Sequence, residues 1–144
     1  MAKTKYFAVD ANGKTHTRTS ARTYTHMVVV LANLEAGREA ARSEHNRKAY
    51  ARNHAFYCQE AGPAPKYSSS PAEMARYKAA AAMTCEEYVN NCVANALAAI
   101  DARGGEFAND WADFGWCGRL DLAQKLAAKW AHMGKVEILE AQQA

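Results

Sequence analysis

Thr-Tyr-Thr-His-Met-Val-Val-Val-Leu, residues 23–31, is the stretch of sequence that decides the fold. It combines β-branched and large apolar side chains and carries no charge. Leaving such side chains in water costs about 1.5–3 kcal/mol for each large one that could be buried. Contiguous apolar residues are typical of a strand covered on both faces, and three consecutive valines disfavour the alternative of a helix beginning at Thr23. The stretch therefore predicts a buried strand on which the helices pack.

A polar hairpin precedes this central stretch. Lys5–Asp10 alternates as a strand does, and Asp10-Ala11-Asn12-Gly13 favours a tight turn, because Asn and Gly accept a positive φ. The returning strand, Lys14–Thr19, is polar on both faces, which predicts an exposed sheet edge. Its basic side chains either discourage unwanted sheet pairing or form a strip that faces a partner or a second copy. These side chains are Lys14, His16 and Arg18.

A long helix is predicted from Leu34 to Glu60, with Asn33 as its cap. Residues 42–48 in its middle are all polar, and a helix that is polar all round is solvated or bridging. Glu–Arg and Glu–Lys pairs three or four residues apart explain much of this charge without a ligand. In the functional alternative the middle of the helix projects and offers basic side chains to a partner. Those side chains are Arg42, Arg47, Lys48 and Arg52.

The second half of the chain begins with a linker and two helices. Residues 62–70 are rich in Gly, Pro and Ser, which indicates a linker. Ser70 and Thr84 are each followed three residues later by Glu, so each predicts a helix start with a capping box. Aromatic residues between Phe107 and Phe114 then predict a short helix that buries one face in the core.

A last helix and a terminal strand complete the predicted fold. Lys135–Glu140 alternates, with Val136 and Ile138 inward, and is expected to return to the N-terminal sheet. We predict one α+β domain over residues 1–144. It has a small antiparallel β-sheet, made of N-terminal strands plus a C-terminal strand, packed against three to five α-helices. The last helix is expected to bury Leu122, Leu126, Trp130 and Met133.

Charge is unevenly distributed along the 144 residues, whose net charge is +3. Residues 1–66 carry 11 Lys and Arg against 5 Asp and Glu, whereas residues 67–144 carry a net charge of −3. Such a gradient can steer the basic half towards an acidic partner, nucleic acid or protein. A solvated surface, or halves that attract each other, would also explain it. Scarce Leu and Ile beside abundant Ala predict a thin core that a partner or a second copy would complete.

Motifs for catalysis and for phosphate or metal binding are absent from the sequence. There is no Gly-rich phosphate loop, no HExxH and no Ser-centred elbow. Cys85 and Cys92 on one helix would differ by about 10.5 Å in rise, too far for ligands of one zinc ion. They are interpreted as small buried apolar residues. His16 and His26 could face each other across adjacent strands, but a histidine pair alone is a weak metal site.

The expected chemistry is therefore binding without an enzyme activity, a metal or a cofactor. The only acidic cluster beside aromatic residues is Glu106, Asp110 and Asp113, and nothing places a nucleophile near it. No CxxC spacing, signal peptide or apolar run of about 20 residues is present. These features favour a soluble cytoplasmic protein with reduced thiols and no membrane association.

The N-terminal sequence resembles a group of known proteins. Lys5-Tyr6-Phe7-Ala8-Val9-Asp10-Ala11-Asn12-Gly13-Lys14-Thr15-His16, followed by Arg22-Thr23-Tyr24-Thr25-His26, looks like small accessory proteins of phages and other mobile elements, anti-CRISPR inhibitors among them. The resemblance implies a cofactor-free domain that occupies a host CRISPR-Cas effector in the bacterial cytoplasm and blocks DNA binding or nuclease recruitment. Several such inhibitors act as dimers, so a homodimer is expected. The expected contact residues are Lys14, His16, Arg18, Arg22, Arg42, Arg47, Lys48 and Arg52.

A small nucleic-acid-associated accessory protein of a mobile element is the alternative function. Nucleic-acid binding would need a basic stripe with stacking aromatics, and Tyr24 and Tyr50 could join the basic residues of the first half. The acid-rich second half argues against a wide positive surface. We therefore expect direct nucleic-acid binding less than protein binding.

Overall fold

The structure, a computed structural model, describes residues 2–67 and 70–144, so Ser68 and Ser69 of the predicted linker lie outside the described residues. The chain divides into two compact units, formed by residues 2–35 with 103–144 and by residues 36–102. In chain order the elements are β1 (Thr4–Val9), β2 (Thr15–Ser20), β3 (His26–Ala32), α1 (Glu35–Arg42), α2 (Glu44–Ala61), α3 (Pro71–Ala81), α4 (Cys85–Asp101), β4 (Ala112–Cys117), α5 (Leu120–Trp130), a 3-10 turn (Ala131–Met133), β5 (Gly134–Glu140) and β6 (Gln142–Gln143).

Strand β3 confirms the prediction made from the central stretch. It lies between β4 and β5 in a three-stranded antiparallel sheet, and residues 27–30 are fully buried. The terminal strand β5 pairs with β3 along its whole length, from His26 opposite Glu140 to Ala32 opposite Gly134. The predicted return of the C-terminal strand is therefore confirmed.

Both faces of β3 are covered, each by a different element. Met27 and Val29 pack with Ala8 of β1 and with Trp111. Val28, on the opposite face, packs with Ala123 of α5, and Val136 and Ile138 join that cluster from β5 as predicted. One face of the central sheet is thus covered by a hairpin and the other by a helix, whereas the sequence predicted helices alone.

The hairpin forms a second small antiparallel sheet in the order β2-β1-β6. Thr4 to Val9 pair with Ser20 to Thr15, and the two-residue β6 pairs with Tyr6 and Phe7 on the other side of β1. The α+β class with small antiparallel sheets is confirmed. The N-terminal and C-terminal strands are divided between two sheets, because a hairpin stacked on β3 can bury Tyr6 and Ala8 without being hydrogen-bonded to it.

The predicted single helix over Leu34–Glu60 is wrong. The helix is interrupted at Ser43, whose backbone is extended. Helix α1 ends just before this residue, and Ser43 caps the start of α2. The Ser43 hydroxyl donates to the Ala40 carbonyl at 2.7 Å and accepts from the Asn46 amide at 3.2 Å. Interrupting a helix leaves backbone amide and carbonyl groups without their helical partners. The Ser43 hydroxyl bonds one group of each kind, so it stabilises the break.

The predicted short helix between Phe107 and Phe114 is also wrong. Residues 112–117 form β4, which pairs with β3 through a register shift between Val28 and Val29. The spacing of the aromatic residues alone favoured a helix. Hydrogen bonding to the backbone of β3 stabilises these residues as a strand instead. Trp111 is buried, so the prediction that this aromatic run contributes to the core is confirmed for that residue.

The second unit, residues 36–102, consists of helices in which α2 packs on α3 and α4. The predicted caps are confirmed: the Ser70 hydroxyl accepts from the Glu73 amide, and the Thr84 hydroxyl accepts from the Glu87 amide. Cys85 is exposed and Cys92 half-buried, so their interpretation as buried apolar residues is wrong.

The buried face of α5 also differs from the prediction. Ala123 is its fully buried residue, and Leu126 and Ala127 pack beside it. Leu122 and Met133, predicted to be inward, are 40% and 39% exposed. Because the core contact centres on Ala123, Leu122 falls on the solvent side of the helix.

Candidate functional site

The β1–β2 hairpin is held by the side chain of Asp10 at its turn. Asp10 Oδ1 accepts hydrogen bonds from the backbone amides of Asn12 at 2.9 Å and Lys14 at 3.1 Å. Gly13 adopts a φ of +82°, which glycine reaches without steric cost. The turn predicted from this sequence is confirmed, and it fixes the register that positions the basic residues of β2.

His16 is buried, so it is a wrong member of the predicted contact surface. Its Nε2 lies 2.7 Å from Asp10 Oδ2, and the side chain of Asp10 is fully buried. Burial acts to raise the pKa of Asp10, but the hydrogen bonds from His16, Lys14 and Asn12 outweigh it, and the pKa lies below its ordinary value. The pair stabilises the hairpin, and only 8% of His16 is left exposed to a partner.

His16 and His26 do not face each other across adjacent strands, because β2 and β3 belong to different sheets. His26 instead contacts the Thr25 hydroxyl at 2.8 Å. No group of three or more metal-ligating side chains occurs within residues 2–67 and 70–144.

The remaining basic residues of the hairpin region are exposed. Lys14, Arg18 and Arg22 all reach solvent, and the guanidinium of Arg18 lies over the ring of Tyr24 at 5.3 Å from its centroid. No acidic residue occurs between Asp10 and Glu35 in the sequence. Strand β2 is therefore a sheet edge with positively charged side chains beside it. No carboxylate within residues 11–34 neutralises them.

The outward face of the hairpin combines apolar and hydroxyl side chains. Phe7 lies opposite Thr17 and Val9 opposite Thr15, and these cross-strand partners share one face of the sheet. Val9 is 50% exposed and both threonines are exposed. Arg18 lies opposite buried Tyr6, so it belongs to the other face of the sheet and is exposed at the β2 edge. We call the outward face, together with the exposed basic residues Lys14, Arg18 and Arg22 that form a rim along the edge strand and its two loops, the hairpin surface.

The second predicted basic group lies on α1 and α2, in the other unit. Arg42, Lys48 and Arg52 are exposed. Arg47 is half-buried and donates to Asn90 Oδ1 at 2.9 Å, so it ties α2 to α4 instead of projecting freely. Glu44 and Glu86 line the same groove as Arg47 and Lys48, which reduces its net positive charge.

The acidic cluster beside the aromatic residues is not assembled into a reactive site. Glu106, Asp110 and Asp113 are all exposed. Asp113 accepts a hydrogen bond from the indole of Trp116 at 2.9 Å, which gives that carboxylate a structural role in β4.

An aromatic pocket among the helices of the second unit was missed by the sequence reasoning. A cavity of about 470 Å³ is lined by residues from α2, α3 and α4, and we call it the aromatic pocket. His54 fixes the helices around it, because its Nε2 lies 3.1 Å from the Ala80 carbonyl and 3.0 Å from the Met83 carbonyl. The lining residues are Asn53, Phe56, Tyr57, Arg76, Tyr77, Ala80 and Tyr88.

Burial raises the pKa of Tyr88 above its usual range, and a hydrogen bond with Cys92 and the proximity of Tyr57 add to the effect. A tyrosine hydroxyl is already protonated at neutral pH, and the raised pKa of Tyr88 extends its protonated range to more alkaline solutions. One local signal of the pocket is present in the sequence, the adjacent Phe56 and Tyr57 near the end of α2. Nothing local indicated that Tyr77 and Tyr88 would meet them.

Glu60 is a buried carboxylate at the end of α2. Its Oε2 accepts from the backbone amides of Lys66 at 2.9 Å and Tyr67 at 3.3 Å, which fixes the start of the linker. Its Oε1 has no hydrogen-bond partner among the described residues.

None of the described helices has the length and apolar character needed to span a bilayer. The chain matches no protein-family model, no curated protein and no solved structure.

Proposed function

We propose that the protein is a non-enzymatic inhibitor that docks through its hairpin surface on a host defence complex, with a CRISPR effector as its target in the bacterial cytoplasm. The observation that supports this proposal is a sheet face on which Val9 is 50% exposed and Phe7 is half-buried, beside a basic rim. Apolar and β-branched side chains inside a charged rim are typical of protein-binding surfaces. The N-terminal resemblance to anti-CRISPR inhibitors supports the choice of target.

The charge of the hairpin surface favours one of the two inhibitory routes. Effector channels that hold nucleic acid are positively charged, so they would repel the rim formed by Lys14, Arg18 and Arg22. An acidic protein surface would attract it and would raise the association rate. We therefore propose that the protein occupies an acidic surface of the effector, such as one that recruits a nuclease, and blocks it sterically.

Reversing two charges of the rim is expected to weaken capture of the effector strongly. Tagged protein would be used to retain an effector complex from a bacterial lysate that expresses one. We expect Lys14→Glu/Arg22→Glu to lower retention at least about tenfold, because like charges across an interface cost several kcal/mol. The matched control is Lys78→Glu/Lys125→Glu, which changes the net charge equally at two exposed residues outside both candidate surfaces.

Equal retention by the two double variants would contradict the proposal, as would a wild-type protein that retains no effector. Light scattering on the same samples tests the expected homodimer. Two copies would give twice the chain mass of 15.8 kDa.

A nucleic-acid-associated protein is the second candidate function, favoured by the placement of Arg18 over the ring of Tyr24. A guanidinium beside an exposed basic edge can contact phosphates, and such contacts release counterions. Gel-shift titration over a salt series distinguishes the candidates. Binding that falls steeply as salt rises would support this function, and the absence of a shift at low salt would exclude it.

A further inference from the structure

The aromatic pocket has the size and lining of a small-ligand site. Its volume of about 470 Å³ lies within the range of roughly 300–1,000 Å³ that is usual for ligand pockets. Four of its seven lining residues are aromatic, and the polar groups beside them are Asn53 and Arg76. A few polar groups set among aromatic walls are the arrangement that orients a bound molecule.

The aromatic walls are already arranged for stacking. The rings of Tyr57 and Tyr77 are nearly parallel, with an interplanar angle of 16° and centroids 5.2 Å apart. Tyr88 meets Tyr57 edge-on at 5.9 Å, and Phe56 meets Tyr77 edge-on at 6.1 Å. A planar ligand ring can continue a stack of this kind, and nucleobases stack on aromatic side chains whatever their identity.

The charge of the lining selects an anion. Arg76 is the one charged residue among the described residues that line the pocket, and none of those residues carries a carboxylate. Within residues 2–67 and 70–144 the guanidinium of Arg76 has no ion-pair partner. Aromatic faces alone would also attract a cation, but Arg76 would repel it. A guanidinium can bind a phosphate through two parallel hydrogen bonds.

We propose that the aromatic pocket binds a nucleotide, with the base stacked on the tyrosines and the phosphate held by Arg76. Protonated Tyr88 and the amide of Asn53 supply further hydrogen-bonding groups in the lining. The site lies wholly within α2, α3 and α4, so it does not depend on the function proposed for the hairpin surface. A free mononucleotide and the phosphorylated end of a single strand present the same chemistry.

Isothermal titration of the full chain tests the proposal. The probes are the 5′-monophosphates of adenosine, guanosine, cytidine and uridine, the four unphosphorylated nucleosides, and inorganic phosphate. We expect saturable one-to-one binding of at least one monophosphate. The corresponding nucleoside should bind at least about tenfold more weakly, because it lacks the charge-assisted hydrogen bond to the phosphate. Inorganic phosphate alone should bind more weakly still. No saturable binding of any monophosphate, or binding of phosphate as tight as that of every nucleotide, would overturn the proposal.

A short 5′-phosphorylated single strand, titrated in parallel, identifies the source of the ligand. A strand that binds more tightly than the monophosphate points to a nucleic-acid end, and a strand that binds more weakly points to a free nucleotide.

Two variants separate recognition from folding. Arg76→Gln is expected to weaken binding of the monophosphate roughly tenfold to a hundredfold and to leave the nucleoside unaffected. Lys78→Gln, on the same helix but outside the pocket, should leave both affinities unchanged. Tyr77→Leu should weaken the monophosphate and nucleoside alike, whereas Tyr77→Phe keeps the stacking ring and should retain them. Equal effects of Arg76→Gln and Lys78→Gln, with folding confirmed by circular dichroism, would refute the assignment.

Discussion

Gly134→Ala is expected to destabilise the protein by about 3–5 kcal/mol, because it adds a backbone strain and a steric overlap at the same residue. Gly134 begins β5 with a φ of +153°, a conformation that side chains with a Cβ rarely adopt. A Cβ there would overlap the Leu31 carbonyl oxygen and lie 2.7 Å from the Asn33 amide nitrogen. Both contacts are with backbone at the end of the central strand, which cannot move without breaking the β3–β5 pairing.

Two other glycines separate strain from overlap. Gly13 has a φ of +82°, but no atom lies within 4 Å of the point that a Cβ would occupy, so Gly13→Ala should cost about 1–2 kcal/mol from strain alone. Gly105 has neither feature, and Gly105→Ala should stay within about 0.5 kcal/mol of the wild type. Urea denaturation of the three variants measures the series. A Gly134→Ala variant no less stable than Gly13→Ala would contradict it.

The order of these three glycines also illustrates what the sequence could and could not reveal. The Asn-Gly turn at Gly13 is a local signal, so the hairpin could be predicted from its own residues. The helix starts at Ser70 and Thr84 are local for the same reason, since each cap bonds an amide three residues away. Gly134 gives no local sign of its importance, because the atoms that exclude a Cβ belong to β3 and the residue after it, far earlier in the chain.

Two of the features that the sequence did not predict depend on partners distant in sequence, the strand at residues 112–117 and the aromatic pocket. Residues 112–117 have aromatic spacing compatible with a helix, and pairing with β3 decides that they form a strand. By contrast, the break at Ser43 rests on local contacts, and serine is a common helix cap. Because residues 42–48 around Ser43 are all polar, no apolar stripe indicated whether they form one helix or two. The aromatic pocket needs three helices to assemble, so single residues such as Tyr77 carried no signal.

His16 shows how one contact reverses a prediction of exposure. A histidine between exposed threonines is expected at the surface, yet the carboxylate of Asp10 at the turn allows it to be buried. Burying a polar group is costly unless it is hydrogen-bonded, and Asp10 supplies the partner. Of the contact residues predicted in the hairpin region, Lys14, Arg18 and Arg22 are exposed. His16 is buried and stabilises the hairpin instead.

Asp10→Ala is accordingly expected to destabilise the protein by about 2–4 kcal/mol, the second large effect. The substitution removes the partner of buried His16 and leaves two turn amides without their acceptor. Asp110→Ala, which removes an exposed carboxylate in the same unit, is the matched control and should change stability by less than about 0.5 kcal/mol. Thermal or urea denaturation at neutral pH would measure both, and equal costs would show that the Asp10–His16 contact does not stabilise the fold.

The depressed pKa of Asp10 gives this stabilisation a defined pH dependence. Because the folded state holds the carboxyl ionised below its ordinary pKa of 3.8, the unfolded state binds the proton more readily in that window. This contribution to stability is therefore fully present at pH values above the ordinary pKa of Asp10, and it is lost as the pH falls through the lower pKa of the folded state. Asp10→Asn keeps the size of the side chain and cannot titrate, so its stability relative to the wild type isolates this contribution from that of other carboxylates. We expect the wild type's advantage over Asp10→Asn to shrink steadily between about pH 5 and about pH 2, and a constant difference over that range would show that Asp10 is not held ionised by its hairpin partners.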